Sequence, residues 1–226
     1  LPDYSSAEGF SASKQYGLPK RRMKMRLLRH LMTGMALLIG AGLALAQAQP
    51  KETQDEFVKT GQGIADTLRQ STGADLAFFP FGLLKESVSG RTLDQSVEFP
   101  TEEVVIVKLT GQQVRSALER GLSLFPTSNP AYLYVSGLEA AFRPNAQPES
   151  RIASVSLGSN PLNPSGTYRV TMPSSLGKGG LGYFTVWNRS AIEQGTAGKT
   201  MDAILSGRQP GTAGLRLKAA PGAEQS

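Results

Sequence analysis

Between residues 54 and 80 the chain changes its hydrophobic period once. Phe57, Gly61, Ile64, Ala65 and Leu68 recur at helical spacing, and Gly73 stands where such a helix would stop. Asp75 to Phe79 then reads as a short buried strand, closed by Pro80. A clearer unit follows. Val104 to Leu109 is a β-branched run, hence a strand. Thr110 and Gln113 have the spacing of a capping box, in which the threonine hydroxyl takes a free amide of the first helical turn. Val114, Ala117, Leu118, Gly121, Leu122 and Phe125 continue as one apolar stripe. A strand feeding a capped amphipathic helix is the layer unit of a mixed α and β domain.

"FPTSNP" (125–130) breaks the chain. Residues 131–142, 151–158 and 167–172 predict three strands, with 159–166 as the turn between the last two. Connections this short predict antiparallel neighbours. A glycine-rich stretch, "SSLGKGGLGYFTVW" (174–187), comes next, and Phe184 and Trp187 within it are expected in the core. The last helix is expected near Met201–Leu205, and from Ser206 the composition drifts to that of a loose tail. No internal repeat is visible.

Composition changes this picture at the N-terminus. The hydrophobic share of 39% and charged share of 19% are those of a globular protein. A net charge of +6 would suggest nucleic acid as a partner, but Lys14, Lys20, Arg21, Arg22, Lys24, Arg26 and Arg29 carry nearly all of it. The rest of the chain is close to neutral, and no nucleic-acid partner is expected. The basic stretch precedes an apolar run at 31–45 and then the small residues Ala44, Ala46 and Ala48, the order of parts in a secretory signal peptide. A membrane span needs about 20 apolar residues, so cleavage near Ala46 or Ala48 and a periplasmic or secreted product are expected, without stable membrane insertion. Residues 1–22 precede the first methionine, Met23, and are expected to lie upstream of the natural start. There is no cysteine, which removes disulfides, thiol nucleophiles and cysteine metal sites.

The single histidine, His30, lies in the expected signal peptide. Serine–histidine triads and histidine-rich metal centres are therefore not expected in the remainder. Asp94, Glu98, Glu102 and Glu103 come near one another in sequence, but acidic residues in a loop are more often solvated than paired for catalysis. "GKGGLGY" (177–183) lacks the lysine–serine/threonine ending of a phosphate-binding loop.

Taken in order, "GIADTLRQSTGADLAFF", "VVIVKLTGQQVRSALERGL", "YLYVSGL", "YRVTM" and "GKGGLGY" resemble the C-terminal domain of 5′-nucleotidases and related exported nucleotide hydrolases, over residues 52–207. The resemblance implies an α+β fold, with a mixed, mostly antiparallel sheet and flanking helices. It divides the chain into an upstream segment with signal peptide (1–48), one domain (52–207) and a flexible tail (208–226). In such enzymes a separate N-terminal metallophosphatase domain holds two divalent metals and hydrolyses the substrate, while the C-terminal domain binds the nucleoside. No cofactor is thus expected in this chain, and its implied partners are a nucleotide or nucleoside and a separate metallophosphatase domain. The alternatives are a degenerate structural or protein-interaction module, or one piece of a split nucleotide hydrolase.

The implied ligand residues are Tyr132 as the base-stacking aromatic, Lys85 at an arginine position, and the loop residues Gly179, Gly180, Gly182 and Tyr183. Several positions depart from the family pattern. Pro80 and Glu103 stand where asparagines are usual, Ser175 where a second stacking aromatic is, and Leu181 where an aspartate is. Lysine keeps the charge of arginine without its bidentate fork.

Overall fold

The computed structural model describes residues 54–193 and 198–221. Helix α1 (Gln54–Thr72) opens the domain, with Asp55 and Glu56 in its first turn and Arg69 in its last, matching the helix dipole. Gly73 ends it at φ +62°. Strand β1 (Leu76–Pro80) follows at once. Strand β2 (Val104–Thr110) runs directly into α2 (Gly111–Gly121), and the expected capping box is formed: the Gln113 amide donates to Thr110 Oγ1 at 3.2 Å, and the Thr110 amide to Gln113 Oε1 at 2.9 Å. The remaining strands are β3 (Leu133–Ser136), β4 (Glu139–Phe142), β5 (Ile152–Leu157), β6 (Asn160–Pro161), β7 (Thr167–Pro173) and β8 (Leu217–Ala219). A one-turn helix α3 (Ser174–Gly177) and a short α4 (Met201–Leu205) complete the regular elements used below.

The strands form two four-stranded sheets, ordered β2-β7-β1-β3 and β6-β5-β4-β8. Pairing is antiparallel except between β1 and β7 and between β4 and β8. The first sheet is buried on both faces. Leu76 and Phe78 of β1 enter one core with Val107, Val114, Leu118, Phe142 and Ile152, while Ala77 and Phe79 enter another with Ile64, Leu68, Val104 and Met201. This double burial is why β1 reads as an unbroken apolar run rather than an alternating one.

Three expectations are corrected. Residues 131–142 form two strands in different sheets. Gly137, at φ +86°, turns the chain between them, and a Cβ there would lie 2.3 Å from the Asp75 carbonyl oxygen. Strands β5 and β7 are not neighbours: β5 pairs with β4 and β6, and β7 with β1 and β2, the segment expected as a plain turn supplying β6. The expected tail contains β8, whose Leu217 is 2% exposed. Its neighbour Arg216 clamps Asp66 of α1 through Nη1 at 2.6 Å and Nη2 at 2.9 Å.

Candidate functional site

The glycine-rich loop leaves β7 through α3 and turns on three residues with positive φ: Gly179 (+91°), Leu181 (+55°) and Gly182 (+83°). Two of the glycines are also required by close contact. A Cβ on Gly179 would lie 2.8 Å from the Phe184 Cα, and one on Gly180 would lie 2.8 Å from the Ser175 carbonyl oxygen. Arg120, at the end of α2, donates from Nη2 to the Leu181 carbonyl at 2.9 Å and fixes the loop tip. Leu181 takes a left-handed conformation that costs an L-residue about 1–2 kcal/mol, and its side chain is 38% exposed.

Tyr183, expected as a ligand contact, belongs to the core instead. It is fully buried, stacks on Trp187 at 4.8 Å between centroids, and donates its hydroxyl to the Ala131 carbonyl at 2.6 Å. Burial pushes its phenol pKa well up. Trp187 is buried as expected, but Phe184 is not: it stands 71% exposed on the loop surface.

The loop meets the connection that enters β2. Glu102 Oε1 accepts the Ser175 amide and, at 3.3 Å, the Ser174 hydroxyl. The Ser174 amide donates to the Glu103 carbonyl at 2.9 Å, so Glu103 serves here through its backbone. One turn earlier the Phe99 carbonyl accepts the Glu102 amide at 3.0 Å, and the Phe99 ring is 59% exposed. The same connection pairs with the segment carrying Lys85: Leu84 bridges Val97, and the Glu98 amide donates to the Leu83 carbonyl at 3.0 Å. Lys85 itself donates from Nζ to the Gln95 carbonyl at 2.9 Å. The segment carrying Lys85 is thus tied to the connection that carries Phe99, and Glu102 and Glu103 tie that connection to the root of the glycine-rich loop at Ser174 and Ser175. In the sequence "EFP" resembles the proline–phenylalanine region of the 5′-nucleotidase C-terminal domain, but nothing local shows that the Phe99 ring is exposed.

Tyr132 lies elsewhere. It walls an apolar cavity of about 550 Å³, to which none of Lys85, Gly179, Gly180 or Gly182 contributes. Its ring meets Tyr134 edge-on at 5.6 Å, and burial pushes its phenol up to about 12. Backbone bonds therefore link the segments that carry Lys85, Phe99 and the root of the glycine-rich loop, while Tyr132 lines a cavity to which Lys85, Gly179, Gly180 and Gly182 do not contribute.

Divalent metals need several converging donors. Among the described residues no three of His, Cys, Asp or Glu come together. Asp94 and Asp202, for example, are spent on backbone amides of Gly207 and Ala203. The donor set present here does not fit the metal pair that the resemblance assigns to nucleotide hydrolases.

A family model described as the 5′-nucleotidase C-terminal domain matches residues 33–189. The chain belongs to this family. The trifunctional nucleotide phosphoesterase protein YfkN of Bacillus subtilis (strain 168) is 36% identical over 83 residues, 34% of this chain and 6% of that protein. Among solved structures, a 5′-nucleotidase precursor from Thermus thermophilus aligns with a TM-score of 0.59 and 23% identity, over 84% of this chain and 43% of that one. The sulfate thiohydrolase SoxB of Thermus thermophilus aligns with a TM-score of 0.53 and 20% identity, over 72% of this chain and 32% of that one. The chain spans less than half the length of each of these proteins, and at such identities the structural likenesses establish the fold alone.

Proposed function

We propose that this domain recognises the nucleoside part of a nucleotide-like ligand on the Phe99 surface, and that hydrolysis is the work of a metallophosphatase domain of the same or another chain. The observation that carries the reading is Phe99. Its aromatic ring is 59% exposed and so is open to a ligand. It sits one turn from Glu102, which fixes the amide of Ser175 at the root of the glycine-rich loop. Stacking of a base on one ring is worth about 1–3 kcal/mol. With Ser175 in place of a second aromatic and the Lys85 ammonium already donating to Gln95, little is added to that. Affinity is then millimolar, on the order of −4 kcal/mol. Export after cleavage near Ala46 or Ala48 belongs to the same proposal and would place the domain where extracellular nucleotides are degraded.

A structural reading competes with this one. The Leu181 carbonyl, at the loop tip, is already held by Arg120, and every loop glycine has a packing or conformational reason of its own. Titration of the full chain with adenosine, uridine and AMP, followed by NMR or calorimetry, separates the two. Binding that Phe99→Ala abolishes supports recognition. Absence of binding up to about 10 mM, or −2.7 kcal/mol, leaves a scaffold.

A further inference from the structure

The cavity beside Tyr132 has a lining unlike that of a phosphate-ester site. Three aromatic pairs wall it: Phe57 with Phe81 (6.1 Å between centroids), Phe125 with Phe142 (5.0 Å), and Tyr132 with Tyr134 (5.6 Å). Among the described residues, no Asp, Glu, Lys, Arg or His lines it. Its volume of about 550 Å³ lies inside the range of small-molecule sites, roughly 300–1,000 Å³.

Two phenols add polar groups to the lining. The hydroxyls of Tyr132 and Tyr134 have no hydrogen-bond partner among the described residues, and neither is one of the fully buried unpaired side-chain atoms, so both remain open to solvent and to a ligand. Asn129, an amide that lines the cavity, is already engaged. It donates to the Gly121 carbonyl at 2.9 Å and accepts the Ala131 amide at 2.9 Å. Both phenols are raised by burial, so each remains a neutral donor and acceptor at physiological pH.

We infer that this cavity is a second ligand site, distinct from the Phe99 surface, for a small uncharged aromatic molecule carrying a hydrogen-bonding group. The rings supply faces and edges for a flat apolar body. The two tyrosyl hydroxyls supply partners for one hydroxyl, ring N–H or carbonyl. A carboxylate or phosphate entering the same space would lose its water and find no lining cation, the nearby Arg151 guanidinium being engaged by the Leu122 and Phe125 carbonyls, so charge is what the site rejects.

The test uses the full chain and paired probes of matched shape: indole against indole-3-acetate, and p-cresol against p-hydroxybenzoate. Ligand-observed and protein-observed NMR report binding and its place. The neutral member of each pair should bind at least tenfold more tightly than the charged one, with shifts at Phe57, Tyr134 and Leu217. Ser128→Trp, at an exposed rim position that lines the cavity, should plug it and abolish binding while the fold is kept. Tyr134→Phe should weaken p-cresol about five- to tenfold by removing one hydrogen bond. The inference is overturned if neither neutral probe binds, if charged and neutral members bind alike, or if Ser128→Trp leaves binding intact. Adenosine shifting these residues rather than Phe99 would keep the cavity as a site and remove the Phe99 reading.

Discussion

Gly61 sits in the middle of α1, where helix propensity alone makes alanine better by about 1 kcal/mol. The structure reverses that sign. An alanine Cβ at this position would lie 2.2 Å from Tyr134 Cε2 and 2.3 Å from its Cδ2, far inside contact distance. The clash reaches Cγ at the root of the ring, so relief requires moving the whole Tyr134 side chain, 4% exposed and packed against α1, toward the cavity it lines. Forcing an extra carbon into a packed core costs roughly 1–3 kcal/mol. Three ring atoms stand in the way, Cγ among them at 2.6 Å, which places the cost toward the upper end of that range, about 2–3 kcal/mol. Set against the propensity gain, Gly61→Ala should destabilise by about 1–2 kcal/mol, which lowers Tm by about 2–8 °C for a domain of this size. Gly63, on the same helix, is the control. Its Cβ would meet nothing nearer than the Gly211 amide nitrogen at 3.2 Å, so Gly63→Ala should stay within about 1 kcal/mol of the parent. Urea midpoints and thermal scans of both variants measure the difference. A Gly61→Ala chain as stable as its parent, or more so, would refute the claim that this glycine exists to seat the Tyr134 ring.

Other expectations are simpler to state. The purified chain should not hydrolyse AMP or UDP-sugars with added Mn²⁺, Zn²⁺ or Co²⁺, because no donor cluster among its described residues could activate a metal-bound water; turnover that persists through rigorous purification would count against this. Expressed in a bacterium with an intact secretion system, the protein should be found outside the cytoplasm with a new N-terminus at Gln47 or Gln49, as N-terminal sequencing would show. The Tyr132 phenol, raised from 10.0 to about 12 by burial, ionises later in the folded state than in the unfolded one. Its contribution is therefore whole below pH 10 and is lost as pH rises from about 10 to 12, and Tyr132→Phe should flatten that part of a stability–pH curve.

How much of this was legible in the sequence depends on how local the cause was. The Thr110–Gln113 box and the stripe from Val114 to Leu122 are set within one helical turn or two, and the structure forms both where the spacing put them. Strand β1 is equally local, its apolar run reporting burial on two faces. The break at Gly137 is not. It arises because the Asp75 carbonyl, from a distant part of the chain, occupies the space a side chain would need. Strand β8 escaped notice for a similar reason. "LKA" carries no strand signal of its own and is held by parallel pairing to β4 and by the Arg216–Asp66 clamp.

The candidate site was less legible, and its aromatics show why. Tyr132, Tyr183 and Phe184 all lie in short apolar stretches, and nothing in those stretches says which ring is covered. Tertiary packing decides: Tyr183 is sealed against Trp187, Tyr132 turns to a cavity shared with α1, and Phe184 is left in solvent because Gly179 brings its backbone, not its ring, into contact. The glycines mislead in a related way. A glycine-rich loop can mean backbone open to a ligand, but Gly182 is needed at φ +83° with the Arg120 guanidinium where its Cβ would be, and Gly180 abuts Ser175. Their presence is accounted for before any ligand is invoked. A case for binding must then rest on groups whose placement packing does not explain. Here those are the exposed ring of Phe99 and the aromatic cavity lined by Tyr132 and Tyr134.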